Sequence, residues 1–321
     1  MHIPSDHGPI PDRRPPRRAP APVIWGAAMT LLLTALGGWV ISTGTGQDRE
    51  AKRAVSTGAL SLPWPRDGQA SVTDTRTGAS GTSGEQEPVP IASVTKVMTA
   101  HVILTGHPLK QGQSGPLITV DQQAEDESVS SVESTVRVEA GQRLTQRQLL
   151  EMLLLPSGNN IARLLARWDA GSEAAFVAKM NRTAADLDMR RTTYTDASGL
   201  GPTTMSTSDD QLRLARKVMR NATFRAIVAT PEVTVGGPTG TVANTNRLLG
   251  TAGNIGVKTG SSTPAGGALM WAATTGRAPD TGLILGVVLH QKPNTTPAEG
   301  LDAAFLAAEQ LAEAARQGGR S

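Results

Sequence analysis

The chain has 321 residues, a formal net charge of +3, no cysteine and 3% aromatic residues. That length holds one large domain or two small ones, and without cysteine there are no disulfides, thiol nucleophiles or thiolate metal sites. So small a charge, with no long basic run beyond the N-terminus, gives no reason to expect nucleic acid, and the five histidines form no His-Glu-x-x-His or similar metal cluster. No metal or other cofactor is expected, and His101 and His107 read as ordinary surface or half-buried residues.

Residues 1–22 carry seven of the 21 prolines together with Arg13, Arg14, Arg17 and Arg18. Such a tail cannot bury a core and is expected to be disordered. Val23 to Ile41 follows, nineteen residues without a charge, long enough to span the hydrocarbon core of a bilayer. Four arginines before the span, against the mixed Asp48-Arg49-Glu50 after it, put the N-terminus in the cytoplasm and the rest of the chain outside. The span is longer than a signal-peptide core and no Ala-x-Ala site follows it, which favours an uncleaved anchor over a removed signal. Residues 42–65 read as a polar stalk closing on Leu62-Pro63-Trp64-Pro65.

A folded domain is expected over residues 66–317. Gln69 to Thr75 reads as a strand, Arg76-Thr77-Gly78 as a turn and Ala79 to Ser83 as a weak returning strand. Apolar residues at Val94, Val97, Met98, Val102 and Leu104 then fit a buried helix. Residues 121–140 are acidic and Ser-rich, with a short strand expected at Thr135 to Val138. Thr145 caps an apolar helix over Gln148 to Leu155 that Pro156 terminates. Further helices are expected over Ile161–Trp168, Glu173–Leu187 and Ser208–Val228. Gly256–Ser261, Ala268–Thr274 and Gly282–His290 read as three strands joined by Gly-rich turns, and Ala303–Arg316 as an amphipathic final helix. Strands, then helices, then strands and a last helix predict a mixed α/β fold. Its antiparallel sheet is built from both ends of the domain, flanked by helices, with a helical lobe inserted.

Three short motifs stand out, each occurring once: Ser93-x-x-Lys96, Ser157-Gly158-Asn159 and Lys258-Thr259-Gly260. In a helix, residues i and i+3 lie on one face with Cβ atoms about 5–6 Å apart, so the Lys96 amine can reach the Ser93 hydroxyl. Burial would disfavour its charged form and leave a base. A lone Ser-x-x-Lys is equally a capped helix with a solvated lysine. The chain's bias sharpens the contrast, because only seven of its 31 basic residues are lysine and arginine cannot give up its proton in a protein.

In order and in setting, the three motifs resemble those of the serine D-alanyl-D-alanine carboxypeptidases, the low-molecular-mass penicillin-binding proteins. The similarity extends to Glu139–Thr145, Leu153–Asn160, Asn244–Leu249 and Gly256–Thr263, and covers roughly residues 66–317. It implies a penicillin-binding-protein or serine β-lactamase-like fold. It also implies an acyl-enzyme mechanism on peptidoglycan stem peptides, with β-lactams as inhibitors. By that resemblance Ser93 is the nucleophile, Lys96 its base and Ser157 the proton relay to the leaving D-alanine. Asn159 positions Lys96 and the substrate amide. Lys258 acts electrostatically, Thr259 binds the terminal carboxylate, and the N–H groups of Ser93 and Ser261, beside Gly260, form the oxyanion hole.

The same residues would serve a DD-endopeptidase acting on crosslinks. A β-lactamase fits less well. The second motif is Ser-Gly-Asn rather than Ser-Asp-Asn, and neither Glu173 nor Glu232 has the surroundings of a deacylating carboxylate. A non-catalytic penicillin-recognising wall module is the alternative from outside the enzymes.

Overall fold

The structure, a computed structural model, describes residues 60–275 and 282–318. The tail and the Val23–Ile41 span lie outside the described residues, as does the stalk up to residue 59. Among the described residues no helix is long and apolar enough to cross a membrane.

In chain order, the first strands are β1 Gln69–Asp74, β2 Ser80–Ser83 and β3 Val89–Pro90. A 3-10 turn at Ala92–Thr95 leads into α1 Lys96–Gly106. Then come β4 Leu117–Thr119, α2 Gln122–Glu127, β5 Arg143–Thr145, α3 Gln146–Leu154, α4 Asn159–Ala170 and α5 Glu173–Asp186. They are followed by β6 Met205–Ser206, α6 Ser208–Val218, α7 Ala222–Val228, β7 Glu232–Val235 and β8 Gly240–Ala243. The chain closes with β9 Asn254–Ser262, β10 Gly266–Thr274, β11 Leu283–Gln291 and α8 Pro297–Gly318.

Five strands form one sheet in the order β2-β1-β11-β10-β9, every neighbouring pair antiparallel. Both ends of the domain supply it, and the helices between are inserted, as the strand–helix–strand order predicts. Period-two alternation sorts the side chains to two faces. On β10, Leu269, Trp271 and Ala273 join Ala304, Phe305, Ala308 and Leu311 of α8 in one core. Ala268, Met270 and Ala272 turn instead to the core of the helical lobe, with Val97, Met98, Leu149 and Ile161. The inner strands β1, β11 and β10 are therefore buried on both faces, while the edge strand β2 is partly exposed. Trp271 needs room across the strand pair and finds it at Gly286, where a Cβ would lie 2.2 Å from the indole. Leu60, Leu62 and Trp64, at the end of the segment read as a stalk, pack on the α8-side core.

Three elements differ from expectation. Thr135–Val138 is not a strand. Its backbone partners come from a side chain, since Asn160 Oδ1 accepts from Val136 N–H at 3.0 Å and Nδ2 donates to Val136 C=O at 2.8 Å. The helix expected over Ser208–Val228 is two helices, because the Asn221 side chain caps α7 by accepting from Phe224 N–H at 3.0 Å. The last helix starts at Pro297, ahead of the expected Ala303. Thr296 and Glu299 cap it reciprocally, and Gly300 is no breaker there but the contact point against Gly267 of β10.

Asn160 is fully buried and also donates to Ala124 C=O at 3.1 Å, so it ties α4 to two separate backbone stretches. An unsatisfied buried polar group costs roughly 1–3 kcal/mol. Asn160→Ala should therefore lower unfolding stability by about 3 kcal/mol or more in chemical denaturation, and a loss below about 1 kcal/mol would mean that the segment is held by other contacts.

Candidate active site

Ser93 and Lys96 meet through the 3-10 turn, not through the α-helix the spacing predicts. Three residues per turn eclipse i and i+3, and Lys96 Nζ lies 2.8 Å from Ser93 Oγ. The turn is pressed into place from both sides by glycines. A Cβ on Gly199, which has φ +77°, would fall 1.9 Å from Ala92 C=O. One on Gly260 would lie 3.0 Å from the N–H nitrogens of Ser93 and Val94. The Lys258-Thr259-Gly260 strand thus runs directly along the serine turn.

Lys96 is fully buried, and its amine has two further partners: Asn159 Oδ1 at 2.6 Å and Ser198 C=O at 2.7 Å. A neutral amine has two N–H bonds and one lone pair. The two oxygens that can only accept use both N–H groups, so the lone pair is left for the Ser93 O–H, which is the arrangement a general base requires. Burial pushes the Lys96 pKa well below the ordinary lysine value, and the charges of Lys258 and Arg163 act in the same direction. Asp196 and Glu133 pull the other way.

Lys258 lies opposite Met270 in the β9–β10 pair and so shares its lobe-side face. It is buried, with its amine 3.0 Å from Thr259 C=O, and burial pushes its pKa down to about 7. Thr259 Oγ1 lies 2.7 Å from Thr245 Oγ1, and Thr245 in turn donates to Leu155 C=O at 3.2 Å, which links β9 to the end of α3. Ser157 stands in the loop between α3 and α4 with φ +70°, a conformation rare for a side-chain-bearing residue. Its buried Oγ has no hydrogen-bond partner among the described residues. Such strain gathers where a side chain must be aimed. Ser261 is half-buried on β9.

Sequence reading brings in all eight of these residues but misses what holds them. Asp196 Oδ1 accepts from Ser198 N–H at 2.7 Å, from the Ser198 hydroxyl at 2.9 Å and from Gly199 N–H, so it shapes the loop that offers Ser198 C=O to Lys96. The Asp-x-Ser-Gly spacing is a legible Asx-turn signal. Glu133, which accepts from Asn159 Nδ2 at 2.7 Å, has no comparable signal in its neighbourhood of the chain.

The sequence profile of the D-alanyl-D-alanine carboxypeptidases matches residues 66–292. The chain belongs to that family. It is thus one of the serine D-Ala-D-Ala carboxypeptidases, which are hydrolases, among the low-molecular-mass penicillin-binding proteins. It is 35% identical over 209 residues to a D-alanyl-D-alanine carboxypeptidase of Streptomyces sp. strain K15, covering 60% of this chain and 71% of that one. It is 35% identical over 219 residues to a D-alanyl-D-alanine endopeptidase of Pseudomonas aeruginosa, covering 66% of this chain and 68% of that one. The crystal structure of the Streptomyces K15 DD-transpeptidase superposes with a TM-score of 0.68 at 28% identity, covering 79% of this chain and 98% of that one. In fold alone, penicillin binding protein 5 from Haemophilus influenzae is similar, with a TM-score of 0.67 at 22% identity.

Proposed function

We propose that this chain is a membrane-anchored DD-carboxypeptidase that removes the terminal D-alanine from peptidoglycan stem peptides through an ester on Ser93. The observation that carries the reading is the buried Lys96 amine, 2.8 Å from Ser93 Oγ. Lys96 takes the Ser93 proton as Oγ attacks the peptide carbonyl. The N–H groups of Ser93 and Ser261 receive the oxyanion, a contribution usually larger than that of the base itself. Ser157, whose Oγ is free of other partners among the described residues, passes the proton to the leaving D-alanine. Lys258 acts electrostatically on the Ser157 side, and Thr259 holds the terminal carboxylate. β9 has one sheet neighbour among the described residues, β10, so its outer edge can take the extended substrate as an added strand.

Water then cleaves the ester. Transfer to an amine instead would be transpeptidation, and the endopeptidase relative favours a second reading in which the leaving group is a crosslinked peptide. Incubation with a D-Ala-D-Ala stem peptide, with and without an amine acceptor, and with a crosslinked dimer separates the three. The peptide should be trimmed fastest, and penicillin should add to Ser93 and stay for much longer than one peptide cycle. A persistent penicillin adduct on Ser93→Ala would overturn the assignment of the nucleophile, and multiple rapid turnovers of penicillin would favour a β-lactamase.

The two amines predict a bell-shaped pH dependence of kcat/KM, which reports the free enzyme. Activity requires Lys96 neutral, so it rises with pH through the depressed Lys96 pKa. It also requires Lys258 charged, so it falls as pH passes about 7. Because the amines interact, the two limbs belong to the pair. Lys258→Arg, which keeps its proton, should abolish the falling limb; a falling limb that persists would mean that another group controls it.

The uncharged Val23–Ile41 span is proposed to anchor this domain outside the cytoplasmic membrane. The full chain, tagged at its N-terminus, should then sediment with membranes and keep the tag. A soluble exported form starting near residue 45 would identify the span as a cleaved signal.

A further inference from the structure

The Asn159 carboxamide has to be held the right way round. Its Oδ1 accepts from Lys96 Nζ, and its Nδ2 donates to Glu133 Oε2. One Nδ2 N–H remains without a partner among the described residues, available to a substrate carbonyl. If the amide turned over, an N–H would point at Lys96 and compete for the lone pair the mechanism needs. An amide has no intrinsic preference between the two orientations, so its neighbours decide.

Glu133 is equipped to decide. A carboxylate only accepts hydrogen bonds, so it binds Nδ2 and repels Oδ1. Glu133 is itself fixed by Arg163, whose Nη2 lies 2.8 Å from Oε1 and whose Nη1 lies 3.2 Å from Oε2. Arg163 Nε also binds Glu127 at 2.7 Å. Burial works to raise the Glu133 pKa, but the hydrogen bonds from Arg163 and Asn159 outweigh it and keep the carboxyl ionised, below its ordinary value. Asn159 and Arg163 are four residues apart on α4, on one helix face. The stretch that carries Glu133 is stitched to the same helix start. Asn159 N–H donates to Ser134 C=O at 2.8 Å, and Asn160 binds both backbone groups of Val136.

We propose that Glu133, clamped by Arg163, is a positioning residue that fixes the orientation of the Asn159 amide and through it the Lys96 base. Its hydrogen bonds go to Asn159 and Arg163, not to Ser93. The inference rests on the roles proposed above for Lys96 and Asn159.

The test is a double-mutant cycle of Glu133→Gln and Asn159→Ala, followed by kcat/KM for a D-Ala-D-Ala peptide and by melting temperature. Glutamine can donate or accept, so Glu133→Gln should lower kcat/KM by at least ~10-fold, within the ~10²-fold that a misplacement of about 1 Å can remove. In the Asn159→Ala background the same change should have a much smaller effect, limited to the direct pull of the Glu133 charge on Lys96. Wild-type activity for Glu133→Gln, or an equal loss in both backgrounds, would overturn the proposal. If Asn159→Ala is itself fully active, the role of Asn159 is what fails. Should Glu133→Gln not fold, Arg163→Gln carries the test. It frees the carboxylate without touching Asn159 and should lower kcat/KM several-fold, whereas unchanged activity would reject the clamp.

Discussion

Burying the Lys96 amine is the constraint on which the arrangement of the lobe depends. A cation taken out of water without partners is heavily penalised, and proteins answer by shifting the pKa or supplying acceptors. Both answers are present. The site gives the nitrogen three oxygens from three places: Ser93 from its own turn, Asn159 from the start of α4 and Ser198 from the loop before β6. Each of these places needs its own support. The Asp196 turn shapes the Ser198 loop, and the α3–α4 loop reaches its position only with Ser157 at positive φ.

Close approach is the second requirement, and small residues meet it. The serine turn lies between a loop and a strand, with glycine at each point of contact. On the far side of the sheet the same device recurs, with Gly267 against Gly300 and Gly286 under Trp271. Backbone-to-backbone packing, as at Gly199, Gly260 and Gly267, is stiff. That would suit the proposed acyl transfer, where a donor must sit where charge will develop rather than where it rests in the ground state.

The fold is legible wherever hydrophobic periodicity or turn chemistry is local. The three long strands after residue 250 and the Thr145 cap, with its reciprocal Gln148, lie within a few residues of where the sequence places them. Periodicity fails where backbone partners are supplied from far along the chain. The Thr135–Val138 stretch alternates like a strand, yet Asn160 takes its hydrogen bonds. The short pairs β3–β6, β4–β5 and β7–β8 escape sequence reading because two to four residues carry too little pattern. In the site, the motifs mark the groups that face the chemistry. Glu133, Arg163 and Thr245 stand behind those groups, and their positions follow from tertiary contacts that no short spacing encodes.

The carboxylates near the base bear on the fate of the acyl-enzyme. Clearing a bulky penicilloyl ester quickly needs a carboxylate with a free oxygen aimed at a water. Glu133 is taken up by Arg163 and Asn159, and Asp196 by the backbone N–H groups of its own turn. Glu173, one of the two glutamates between Ser157 and Lys258, accepts from Ala197 N–H at 3.1 Å and so braces the same loop. Glu232, the other, is exposed on β7. The two carboxylates whose charge reaches Lys96, Asp196 and Glu133, are therefore committed to holding the site's shape, and under the proposed mechanism the remaining base for an incoming water is Lys96 itself. Under that mechanism a small acyl-peptide would leave the amine accessible once D-alanine has departed, whereas an opened β-lactam ring would stay tethered beside it. In the proposed function, this division of labour, with lysine for proton transfer and carboxylates for architecture, would make peptide hydrolysis and penicillin inhibition compatible in one site.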